Sequence, residues 1–174
     1  MQLYRGETQG PINQSKLRPK IAETAMVLVY IYLILTILCF FSYFLAGMDY
    51  FDAVVHSFTT IAIGGFSNYN ESFAYFDSSA IYLLAIIFMF ISGISFSLHY
   101  LSFSNFKLFN YVKDPEFGFY WKMLALTSFI FIVTTWLYSS ELSSSKIILS
   151  LFTVTSFATT TGFTVMDHTS FPTY

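Results

Sequence analysis

The chain has 174 residues, of which 55% are hydrophobic and only 10% are charged. Soluble domains carry about 25% charged residues, so the composition excludes an ordinary soluble domain and indicates a membrane protein in a lipid bilayer. The formal net charge of −2 comes with no basic stripe of the kind that binds nucleic acid, and we expect no nucleic-acid partner. The single cysteine, Cys39, lies in an apolar run and is expected to be a buried small hydrophobic residue.

The chain opens with a polar segment, residues 1–23, that lacks the apolar core of a signal peptide. Residues 24–48 then carry no charge. At about 1.5 Å per helical residue, such a segment is long enough to cross about 30 Å of hydrocarbon. We therefore predict a cytoplasmic segment over 1–23 and a first membrane span over 24–48.

The next apolar segment, 52–63, is too short to cross a bilayer and is typical of a re-entrant or buried helix. Asp49 or Asp52 is placed to cap its N-terminus, and the Gly64-Gly65 pair ends it. We predict a pore helix over 52–63 and a filter-like turn over 63–67.

Two longer apolar segments follow, separated by a short polar one. Residues 79–103 predict a second span, in which Gly93 and several serines permit close helix approach. Residues 104–117 carry charges of both signs and predict a cytoplasmic linker. Residues 118–138 predict a third span.

A second short apolar segment, 146–159, predicts a second pore helix, and residues 160–164 a second filter turn. The two turns share one pattern, Ile63-Gly64-Gly65-Phe66-Ser67 and Thr160-Thr161-Gly162-Phe163-Thr164, and their glycines Gly65 and Gly162 lie 97 residues apart. This spacing fits a two-span module. The predicted fold class is an all-α membrane protein of repeated span–pore-loop–span modules: a complete first module over 24–103 and a second module over 118–174 that lacks its last helix.

The turns have the chemistry of a cation filter. Filters replace the hydration shell of an ion with backbone carbonyls, and glycine reaches the dihedrals that aim such carbonyls inward. The negative C-terminal end of each short helix also favours a cation. The predicted filter residues are Ile63, Gly64, Gly65, Phe66, Thr160, Thr161, Gly162 and Phe163, with potassium on the carbonyls of Ile63, Gly64, Thr160 and Thr161.

The hydroxyls of Ser67, Thr160, Thr161 and Thr164 could add oxygens or brace the turns. The alternative interpretation is that the glycines are ordinary helix C-caps before loops.

The distribution of basic residues predicts the orientation. If residues 1–23 are cytoplasmic, three spans place 104–117 inside and both filter turns on the outer face. Seven of the eight basic residues then lie on the inner side, and only Lys146 lies outside. This agrees with the positive-inside rule, provided that the short helices do not cross the membrane.

At these residues the chain resembles the Trk/Ktr/HKT superfamily of cation transporters, and most closely the bacterial Trk potassium-uptake membrane subunits. The two turns resemble the filters of the family's second and third repeats. The resemblance extends over essentially the whole chain, through Arg5-Gly6-Glu7, residues 88–100, Asp114-Pro115-Glu116 and residues 167–172, with Phe171 where the family commonly has Trp.

The resemblance implies potassium uptake across the cell inner (plasma) membrane, with potassium as the transported ligand, no cofactor and no enzymatic activity. The family's fold has four repeats around one pore, so this chain would be an internal fragment holding the second repeat and part of the third. The family's filter glycines favour potassium over sodium, and Gly65 and Gly162 match them. The resemblance also implies a homodimeric parent that sits on a cytosolic nucleotide-binding regulatory ring.

The sequence is also compatible with other functions. One is a subunit of another pore-loop cation channel, less selective or sodium-permeable; others are a homotetrameric channel subunit and a purely structural membrane protein. A metalloenzyme would need ligands from His56, His99, Asp167 and His168. Neither of the two earlier histidines has a ligand-type residue four positions after it, and His99 and His168 are expected on opposite faces.

Overall fold

The computed structural model describes residues 21–104, 109–139 and 143–165. All regular structure in these ranges is helical, which confirms the predicted all-α class. The helices are α1 (Ile21–Leu45), α2 (Tyr50–Ile61), α3 (Ser79–Ser92), α4 (Phe96–Ser104), α5 (Phe109–Lys113), α6 (Pro115–Ser139) and α7 (Ser144–Ala158), with a 3₁₀ turn at Ser72–Phe76. Residues 1–20 of the predicted cytoplasmic segment lie outside the described residues, as do Asp167, His168 and Phe171.

Two of these helices are long and apolar enough to cross a membrane, over Ala25–Leu45 and Pro115–Leu137. The second begins three residues before the predicted span. Pro115 suits the first turn of a helix because it has no N–H to leave unpaired. Asp114 caps that turn, accepting a hydrogen bond from the Phe117 backbone N–H at 2.8 Å.

The segment predicted as the second span, 79–103, is not one continuous helix. It consists of α3 and α4, which meet at an angle of 88°. The helix ends at Gly93, and the break exposes backbone carbonyls that side chains from elsewhere then satisfy. The hydroxyl of Tyr120 on α6 donates to the Phe90 carbonyl at 3.2 Å, and His99 Nε2 donates to the Ile91 carbonyl at 3.0 Å.

Gly93 packs directly against Tyr120, since a Cβ added at Gly93 would lie 2.5 Å from the tyrosine hydroxyl oxygen. We expect Gly93→Ala to lower the free energy of unfolding by about 1–3 kcal/mol, the usual cost of overpacking. Tyr120→Phe removes the obstructing oxygen, so the double variant should lose less stability than the sum of the single losses. Thermal denaturation of the protein purified in detergent measures this, and strict additivity would contradict the proposed contact.

The core lies between the two short helices and the α1 and α3 helices. It includes Tyr43, Ala53, Ile61, Phe73, Ala85, Met89, Phe152 and Phe163. Helix α1 packs on α2, whereas α3 packs on both α2 and α7. Helix α3 therefore joins the first module to the second and brings the ends of their short helices together. Cys39 is fully buried in this core, as the sequence predicts.

Candidate functional site

Each predicted filter turn begins directly at the end of a short helix. Helix α2 ends at Ile61 and α7 at Ala158. Backbone hydrogen bonds continue into the turns, from Ile63 N–H to the Thr60 carbonyl at 3.2 Å and from Thr160 N–H to the Phe157 carbonyl at 3.0 Å. The negative C-terminal end of each helix therefore lies beside its turn.

The two turns follow the same backbone path. Ile63 and Gly65 have φ values of 54° and 65°, and Thr160 and Gly162 have φ values of 63° and 86°. Positive φ is unfavourable for β-branched side chains such as those of isoleucine and threonine. A strained conformation of this kind persists only where the surrounding structure holds it in place. The sequence repeat is thus accompanied by a repeat in backbone conformation.

The two turns also meet. A Cβ added at Gly65 would collide with the carbonyl oxygen of Thr161 and would lie 2.9 Å from its carbonyl carbon. Gly65 therefore allows the backbones of the two turns to approach closely. At Gly162 an added Cβ would find no described atom within 4 Å.

Side-chain hydroxyls brace the turns. Ser67 Oγ lies 2.9 Å from His56 Nε2, and Thr161 Oγ1 lies 2.7 Å from Thr159 Oγ1. Ser156 on α7 donates to the Phe163 carbonyl at 2.8 Å. The bracing role considered for Ser67 and Thr161 therefore has an observed geometry, whereas sequence reasoning missed Ser156. Ser156 belongs to no recognisable sequence motif, so its hydrogen bond to Phe163 could not be predicted from the sequence.

The two filter phenylalanines occupy different surroundings within this chain. Phe163 is 1% exposed, and its ring centroid lies 4.3 Å from that of Phe73 in the 3₁₀ turn. Phe66, at the equivalent position of the first turn, is 75% exposed. The Thr164 backbone N–H also donates to Ser72 Oγ at 3.3 Å. The second turn is thus held by residues of the first module.

The loop that follows the first turn is held by Asp52, whose side chain is 7% exposed. The carboxylate of Asp52 accepts hydrogen bonds from Asn68 Nδ2 at 3.0 Å and from the Tyr69 hydroxyl at 2.7 Å. The hydrogen bond to Asp52 raises the pKa of Tyr69, in keeping with a hydroxyl that donates to this carboxylate. Asp49 occupies the N-cap position of α2, but its side chain makes no capping hydrogen bond.

An open cavity of about 480 Å³ lies beside the start of the first turn. Ile63 lines it from the turn, Tyr32 from α1, and Ser95 from the break between α3 and α4. The break therefore places hydroxyl and backbone polar groups beside the start of the turn.

The two described histidines that were considered as metal ligands, His56 and His99, have different hydrogen-bond partners. His56 is hydrogen-bonded within the first module, whereas His99 bonds to Ile91 and to the Tyr111 hydroxyl beside the break. In the described part of the chain, no three His, Cys, Asp or Glu side chains form a group that could hold a metal ion. Asp167 and His168 are outside that part.

Comparison with known families shows to which family the chain belongs. The family model TrkH, described as a cation transport protein, matches residues 1–174. The chain belongs to the TrkH family. This is a family of membrane transporters rather than enzymes.

Curated members of the TrkH family share close to half of their aligned residues with the chain. It is 46% identical over 172 residues to the Trk system potassium uptake protein TrkH of Halomonas elongata, covering 99% of this chain and 36% of that protein. It is 45% identical to TrkH of Escherichia coli K12, covering 94% of this chain and 34% of that protein. The chain thus spans about a third of the length of these relatives.

A solved structure of a TrkH family member has the same fold. The crystal structure of the potassium transporter TrkH from Vibrio parahaemolyticus superposes with a TM-score of 0.81 at 42% sequence identity. The match covers 87% of this chain and 33% of that one.

Proposed function

We propose that the chain is part of a membrane protein that takes up potassium ions through a filter of backbone carbonyls. The observation that carries this proposal is the close contact of two turns with one repeated backbone conformation, in which Gly65 lies against Thr161. In this proposal, carbonyl groups from the two turns face one ion path from two sides. The relatives are named Trk system potassium uptake proteins, which supports potassium as the ion.

The ion ligands in this proposal are the backbone carbonyls of Ile63, Gly64, Thr160 and Thr161. Irregular backbone of this kind is tolerated at membrane depth only where it lines a cavity or is buried in protein. Helices α2 and α7 end beside these residues and direct their negative ends towards them. Positive charge is thereby favoured although neither turn, 63–67 or 160–164, contains a carboxylate side chain.

Two quarters of a filter do not enclose an ion, and we propose that further modules complete it. The exposure of Phe66 supports this, because the equivalent Phe163 is buried by the module before it. The space that the described residues leave beside Gly162 would receive the module that follows. In the complete protein, four modules would surround one path, in agreement with the greater length of the relatives.

We further propose that both turns face the outer side of the inner membrane, as the distribution of basic residues predicts. The proposed assembly is a homodimer on a cytosolic nucleotide-binding regulatory subunit. The linker at 104–117 would then lie on the side of that subunit.

Rubidium uptake by the full-length protein in liposomes tests the function. We expect rubidium uptake that potassium inhibits and sodium does not. Empty liposomes and liposomes with heat-denatured protein provide the controls. Sodium uptake at a comparable rate would favour the alternative of a less selective pore-loop cation channel, and no uptake above the controls would contradict transport altogether.

A further inference from the structure

His56 lies on α2 in contact with both filter turns. Its side chain is 0% exposed. One ring nitrogen is hydrogen-bonded to Ser67, at the end of the first turn. Its ring also packs against that of Phe163, in the second turn, with a centroid distance of 6.3 Å. His56 is thus placed to act on both turns at once.

The hydrogen bonds of His56 fix its tautomer. Nδ1 lies 2.8 Å from the Asp52 backbone carbonyl, which can only accept, so Nδ1 carries the proton and donates. In the neutral ring Nε2 is then an acceptor, and the Ser67 hydroxyl donates to it at 2.9 Å. Ser67 Oγ in turn accepts from the Tyr69 backbone N–H at 3.2 Å. This chain of hydrogen bonds ties the end of the first turn to the start of α2.

Aromatic rings hold the imidazole on its other sides. Phe73 and Phe76 contact it edge-on, with ring centroids 5.3 Å and 5.1 Å away. Phe73 also packs against Phe163. Because buried aromatic packing of this kind leaves little room for movement, the imidazole has one position relative to both turns.

We propose that His56 is a positioning residue that sets the spacing of the two turns and so determines potassium-over-sodium selectivity. This inference rests on the proposed potassium uptake. Selectivity in carbonyl filters depends on the number and spacing of the carbonyls that face the ion. Without the bond to Ser67 the first turn is free to close around the smaller sodium ion.

The test compares three changes in the full-length protein. His56→Phe keeps a ring of similar size but removes the hydrogen bonds to Asp52 and Ser67. Ser67→Ala removes the His56–Ser67 bond by deleting the serine hydroxyl. His99→Phe is the matched control, because His99 is also buried and bonded through both ring nitrogens but lies at the α3–α4 break. The measurements are the ratio of rubidium to sodium uptake in liposomes and the melting temperature in detergent.

We expect His56→Phe and Ser67→Ala each to lower the uptake ratio about fivefold, the effect of losing one buried hydrogen bond. The double variant should lose less selectivity than the two single losses combined, because both changes remove the His56–Ser67 bond and only Ser67→Ala also removes the bond from the Tyr69 N–H. His99→Phe should lower the melting temperature but leave the ratio unchanged.

If the wild-type protein is selective and Ser67→Ala has the same uptake ratio, the positioning role of His56 is overturned, whereas the proposed potassium uptake is not. An equal loss of selectivity in His99→Phe would also overturn the positioning role, since the effect would then be a general one of buried histidines. If His56→Phe fails to fold, Ser67→Ala decides the matter, because it removes only one hydroxyl. A wild-type protein that carries no rubidium would overturn the proposed function itself.

Discussion

Gly65→Ser should abolish selective potassium uptake in the full-length protein. The added Cβ would collide with the backbone carbonyl of Thr161, which cannot turn aside as a flexible side chain can. Serine would also have to adopt the φ of 65° found at this position. Left-handed backbone costs about 1–2 kcal/mol for a residue with a Cβ, and overpacking adds about 1–3 kcal/mol. The two turns must therefore separate, and their backbone carbonyls no longer face the ion path.

The measurement is the ratio of rubidium to sodium uptake, and we expect it to fall about thirtyfold or more, equivalent to about 2 kcal/mol. Gly118→Ser is the matched control, since an added Cβ at this glycine of α6 meets no described atom within 4 Å. Gly162→Ser should be similarly damaging, through its φ of 86° and the proposed module beside it. Wild-type selectivity in Gly65→Ser and Gly162→Ser together would refute the filter assignment.

Phe163→Ala should have the largest effect on stability. The ring is almost completely buried between Phe73 and His56, and its loss leaves a cavity at the junction of the two modules. Truncation of a buried phenylalanine costs about 3–5 kcal/mol. Thermal denaturation in detergent should show a large fall in melting temperature, together with a loss of rubidium uptake.

Phe129→Ala on α6 is the control for this change, because its side chain is 66% exposed in the described structure. It should alter the melting temperature little. Phe66→Ala is the informative comparison. If another module covers Phe66, as we propose, Phe66→Ala should lower the melting temperature nearly as much as Phe163→Ala does. A fall as small as that of Phe129→Ala would contradict a preceding module.

The short helices and turns could be predicted because their signals are local. An apolar segment too short for a span, followed by glycine, is visible in the sequence at both sites. The positive φ of Ile63 and Thr160 was not predictable, since β-branched residues ordinarily avoid it. The turns that contain them are held by long-range contacts, of Gly65 with Thr161 and of Thr164 with Ser72, and a local pattern does not show these contacts.

The break between α3 and α4 could not be predicted for a related reason. Hydropathy is continuous across residues 79–103, and Gly93 by itself is compatible with a continuous helix. The carbonyls of Phe90 and Ile91 are satisfied by Tyr120 and His99. Tyr120 is 30 residues away from Phe90 along the chain. Only the packing of α6 against this break shows that the helix can end there.

Anomalous diffraction from crystals of the full-length protein grown with rubidium tests the central claim most directly. We predict rubidium density on the path between the two turns, within coordination distance of the carbonyl oxygens of Ile63, Gly64, Thr160 and Thr161. Rubidium density confined to other parts of a transport-competent protein would contradict the assignment of these turns as an ion filter.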